Sequence, residues 1–167
     1  MRIYVPATLS MLRTLVKTGE LAAVSGTAFA LTPALRESYA SGDAEELEYA
    51  AMADAARASL RLLDAELADN PDTPPRRAVI AADVDDATLR PDLDFAVVRL
   101  AGPLSMSQIA AVHVDTEPAE PAVRAAAAVM DAADLGDPDA EFILGDAEDH
   151  ELAWYAPQEL PFLLDLM

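Results

Sequence analysis

The chain has 167 residues, an apolar fraction of 53% and a formal charge of −19, set by 30 carboxylates against 11 cationic side chains. Such a surface repels phosphate, which excludes a counterion-releasing nucleic-acid binder and a binder of anionic lipid. The absence of cysteine removes disulfides, thiolate nucleophiles and cysteine zinc sites, and fits a reducing cytoplasm.

The first residues, Arg2 to Val5, read as a strand ending at Pro6, followed by a helix that Thr8 or Ser10 caps and Gly19 closes after Lys17. Pro6, Arg13 and Lys17 interrupt any secretory core, so no signal peptide is expected, and no uncharged apolar run reaches the ~20 residues of a membrane span. The expected location is the cytoplasm. Gly26 to Leu31 is a second strand, and Thr32-Pro33 supplies a cap and an N1 proline for a short helix from Ala34 to Tyr39.

The clearest element is a helix from Asp43 to Leu67, with Glu46 three residues past the capping Asp43. Its polar positions Glu46, Asp54, Arg57, Arg61 and Asp64 form one stripe, and the rest of its circumference is Leu, Met, Tyr and Ala. That breadth predicts burial against a sheet and against a second helix or subunit, so a homodimer is one expectation. Asp69 to Pro75 is an exposed loop.

Arg77 to Val84 reads as a central strand, and Phe95 to Leu100 as another expected to pair with it across the Asp85 to Asp94 loop. Ser105 to Ala110 reads as a helical turn and Ala111 to Asp115 as a strand. Pro118 and Pro121 then introduce an Ala-rich helix from Ala119 to Leu135, stopped by Gly136-Asp137-Pro138. A short helix from Asp139 to Leu144, a strand from Glu151 to Tyr155 and an apolar turn from Pro157 to Leu164 complete the chain. Leu-Ser-Met recurs at Leu9 to Met11 and Leu104 to Met106. If it marks a duplicated β-α-β-α unit, the fold is α+β in one domain: a two-layer sandwich with a mixed sheet, ferredoxin-like in outline.

Few residues offer chemistry. On a strand, His113 and Asp115 point to one face, the arrangement of two metal ligands or of an oriented general base. With His150 they form the candidate metal set of a small metal-assisted hydrolase, a reading that needs the two histidines close together. Asp83, Asp85, Asp86, Asp92 and Asp94 cluster without the glycine and terminal Glu of an EF-hand. There is no G-x-S-x-G, and Ser105 and Ser107 suit a helix cap. Phosphate-cradling glycine motifs are missing too, so no cofactor is expected.

Charge is one-sided: residues 101–167 hold 14 acids and a single base, Arg124. Within this region Glu148, Asp149 and His150 precede Trp154 and Tyr155, and strand alternation exposes one of these two aromatics beside the acidic run. An aromatic anchor with an acidic rim predicts a non-catalytic regulatory or binding module whose partner is a protein with a basic surface.

Four segments, MRIYVPAT at 1–8, GTAFALTPALRESY at 26–39, EELEYAAMADAARASLRLL at 45–63 and AEDHELAWYAPQEL at 147–160, resemble a family of actinobacterial conserved hypothetical proteins. The resemblance implies a GC-rich actinobacterial source rather than a salt-adapted one. It implies no activity, ligand or catalytic residue.

Overall fold

A computed structural model describes all 167 residues. Its centre is a seven-stranded sheet in the order β5-β6-β3-β1-β4-β8-β9. The middle strands are β1 (Arg2–Ala7), β4 (Ala78–Asp83) and β8 (Ile109–Val114), flanked by β3 (Thr27–Phe29) and β6 (Val97–Arg99). β5 (Thr88–Leu89) and β9 (Ala153–Tyr155) form the margins. A separate two-stranded ribbon joins β2 (Glu20–Leu21) to β7 (Leu104–Ser105). The class is α+β, as expected.

Side-chain alternation assigns the two faces. Ile3, Val5 and Ala7 of β1, with Ala78 and Ile80 of β4 and Val112 and Val114 of β8, form one cluster with Leu12 and Leu15 of α1 (Leu9–Thr18) and Leu160 and Leu163 of α7 (Leu160–Asp165). Tyr4, Val79, Ala81 and Ala111 point the other way, onto Ala51, Ala55 and Ala56 of α3 (Ala44–Asp69) and Leu35 of α2 (Pro33–Ser38). The sheet is therefore covered on both sides, and the expected two-layer sandwich is corrected to three layers. Strands β1 and β4, apolar at successive positions, carry the signal of double burial.

Every pairing in the sheet is antiparallel, where a mixed, ferredoxin-like sheet was expected. The helices α2 and α3 do carry the chain from β3 to a strand of the same direction, β4, but β1 lies between the two, so each neighbour runs opposite. β4 and β6 do not pair with each other: β4 lies between β1 and β8, and β6 between β3 and β5. The repeated Leu-Ser-Met has no structural counterpart, since Leu9 opens a helix and Leu104-Ser105 is a strand.

Local chemistry sets the helix ends. The Thr8 hydroxyl accepts from the Met11 N–H, and Gly19, at φ 79°, donates its N–H to the Leu15 carbonyl. Asp43 accepts from the Glu46 N–H at 2.9 Å and starts α3, a 26-residue helix about 39 Å long at 1.5 Å per residue. The Ala-rich stretch is not one helix: Val129, at φ −112° and ψ 11°, separates α4 (Glu120–Ala128) from α5 (Met130–Asp134). That break lets Val123, Ala126 and Met130 share one cluster with Leu60 and Leu63 of α3 and Leu144 of α6 (Pro138–Glu148). Most of the broad apolar face of α3 is thus covered by the same chain, while Tyr49 stays exposed.

One buried hydroxyl ties α3 to the sheet. The Ser59 Oγ donates to the Ala7 carbonyl at 2.7 Å and accepts from the Ala78 N–H at 3.1 Å. Ser59→Ala strands two buried backbone groups, so a loss of about 1–3 kcal/mol is expected in urea unfolding. A loss within error of zero would show that the backbone relaxes to re-pair them.

Candidate functional site: an acidic, aromatic cleft

α3 packs through Ala51, Ala55 and Ala56 against β3, β1 and β4, and a cleft remains between it and the margin of the sheet. Its main chamber encloses about 370 Å³ between α3, the sheet margin at β8 and β9, and the turn from α6 to β9. A second chamber of about 290 Å³ continues it toward β1, and Tyr49, Met52, His113 and Trp154 line both.

The sheet register explains which side chains arrive there. His113 pairs with Val79 on one side and Trp154 on the other, on the face that carries Tyr4 and α3. Trp154 therefore stands over the cleft, 60% exposed, while Tyr155, one residue on, packs against the opposite cluster. Tyr49 of α3 is 57% exposed across from it.

The remaining candidates separate. His150, Glu148 and Glu151 line the main chamber, and Asp149 is exposed outside it. Both imidazoles thus line one cleft. Asp115 does not join them. It is fully buried, with Oδ2 accepting from the Arg77 N–H and Nε at 2.8 Å each and Oδ1 from Nη2 at 2.7 Å. The same Nη2 donates to the His150 carbonyl at 2.8 Å, which fixes the turn from α6 to β9 at the cleft's end. With Asp115 committed to Arg77, no group of three His, Asp or Glu side chains is placed to hold a metal ion. The loop carboxylates are dispersed as well: Asp83 pairs with Arg2, Asp92 with Arg90, and Asp94 accepts from the Phe95 N–H.

Cations at the cleft are similarly engaged. Arg2 forms two bonds to Asp83, Arg77 is held by Asp115, and Arg57 meets Glu141 at 2.9 Å and Glu148 at 3.8 Å. Glu45, Glu48 and Glu151 line the cleft with no cationic partner, although Glu48 accepts from the Tyr4 hydroxyl at 2.7 Å. Burial and that bond to Glu48 push the Tyr4 phenol well above its usual value, so it stays a donor.

Burial, with a smaller contribution from Arg2, holds the His113 imidazole below its ordinary value. As pH falls through about 6.5 the unfolded chain takes up the proton first. The stability that neutral His113 supports is present above that pH and is lost as pH drops toward the lower folded value. The denaturation midpoint should fall between about pH 7.5 and 5.5, and His113→Gln should flatten the slope; an unaltered slope would assign it to another group.

Sequence reading missed the α3 side of the cleft, yet a signal was present. Glu45, Glu48, Tyr49, Met52 and Ala56 follow one another at intervals of 3, 1, 3 and 4 residues, which keeps them on one face of the helix. The chain belongs to a family of unknown function, DUF6912, which it matches over residues 1–164. No curated protein and no solved structure matches it. No helix is long and apolar enough to cross a membrane.

Proposed function

We propose that the protein is a non-catalytic, cytoplasmic binding module of actinobacterial origin that receives a basic segment of a protein partner in this cleft. One observation carries the reading: Trp154 and Tyr49 stand exposed at a cleft whose arginines are all paired while Glu45, Glu48 and Glu151 lack a cation. An arriving Lys or Arg finds aromatic faces for its stem and charge, and carboxylates for its head. Charge reversal by Glu148→Lys with Glu151→Lys should weaken capture of a basic peptide at least about tenfold, near 1.4 kcal/mol, at low salt, with the difference shrinking as salt rises. Equal capture by both proteins at every ionic strength would sink the proposal.

Convergence of the two imidazoles favours a second reading, a small hydrolase. In it, neutral His113 acts as base, with His150, Glu148 and Glu151 nearby and Asp115 positioning the turn through Arg77. It predicts turnover of an ester probe that His113→Gln abolishes while peptide capture persists.

A further inference from the structure

The cleft opens at a margin of the sheet. β9 is the last strand, bonded to β8 alone, and no hydrogen bond outside that ladder uses the backbone of residues 153–155. Its free edge thus borders the carboxylate-lined cavity, and its central side chain, Trp154, faces into it. A strand laid beside β9 would lie about 4.8 Å away, and its residue opposite Trp154 would be within about 5.5 Å, close enough for a guanidinium to stack on the indole. Residues two positions along the added strand return to the same face. Glu151, just before β9, and Glu148, at the end of α6, lie on the same side.

We propose that the partner's basic segment binds as an extended eighth strand on β9, with basic residues at every second position over the cleft. This rests on the reading of the cleft as a site for a basic protein segment, and adds the conformation and spacing of what it recognises. Backbone bonds to Ala153–Tyr155 supply sequence-tolerant affinity, while Trp154 and the carboxylates select the charge. A second copy of this chain fits poorly as occupant, because each copy carries −19.

The test uses the full chain and a synthetic peptide alternating Arg and Thr, titrated calorimetrically at low salt. In a strand, all Arg amides point to one edge and all Thr amides to the other, so methylating the backbone nitrogens of one set blocks a single edge. The expected result is that one methylated peptide loses at least tenfold in affinity and the other binds like the parent. Equal behaviour of the two, whether both bind or both fail, overturns strand addition; if the parent still binds, the basic-segment reading survives. No binding by the parent overturns both.

Discussion

Asp115→Ala is expected to destabilise the protein by about 3–5 kcal/mol, because it leaves the Arg77 guanidinium buried without its counter-charge. The side chains of this pair are 4% and 0% exposed, and two guanidinium bonds together with one from the Arg77 backbone N–H leave Asp115 without a spare oxygen. At roughly 2–4 °C per kcal/mol for a chain of this size, the midpoint of thermal unfolding should drop by about 6–20 °C. Exchanging both members, Arg77→Met with Asp115→Leu, removes the orphaned charge but still leaves the backbone N–H of residue 77 without its carboxylate acceptor, so it should recover part of that loss. The double variant still lacks the donor to the His150 carbonyl, so its cleft should bind basic peptide less tightly even where its stability is partly restored. Equal stabilities of the single and double variants would mean that water already reaches the pair.

Ile80→Ala is expected to cost about 2–5 kcal/mol. Ile80 is fully buried at the centre of β4, in register with Val5 and Val112, in the cluster that α1 and α7 cover. Its neighbour Ala81 faces the other way, among Ala51, Ala55 and Ala56, where helix and sheet meet through small side chains. Ala81→Leu should therefore destabilise by overpacking, about 1–3 kcal/mol, and widen the separation that shapes the cleft. Urea unfolding of both variants, with an unchanged slope, checks these values; a neutral Ala81→Leu would show slack between α3 and the sheet.

The contrast between these two sites shows what was legible in the chain. Caps at Thr8, Thr32 and Asp43 and the stop at Gly136 act over three or four residues, and each marks an observed helix end. Strand order is set by long-range insertion, and nothing local to β1 says that it enters between β3 and β4. The continuous apolar runs in β1 and β4 announced burial on both faces, a signal that conflicts with a two-layer sandwich. At the site, alternation around Trp154 and Tyr155 was readable as geometry, and the stripe from Glu45 to Ala56 was available at helical spacing. Two facts were not: that Tyr49 of α3 and Trp154 of β9 line one cleft, which depends on the whole topology, and that Asp115 is claimed by Arg77, 38 residues away.

The last turn of α6 has a consequence of its own. Asp146, Glu148 and Asp149 crowd the negative end of that helix, which has no basic residue in its final turn, whereas Asp139 and Glu141 sit favourably at its start. The free protein thus holds electrostatic tension beside the cleft, and any bound cation discharges it. Local fraying there should subside as salt or an occupant arrives, registered as slower amide exchange from Ala147 to Asp149.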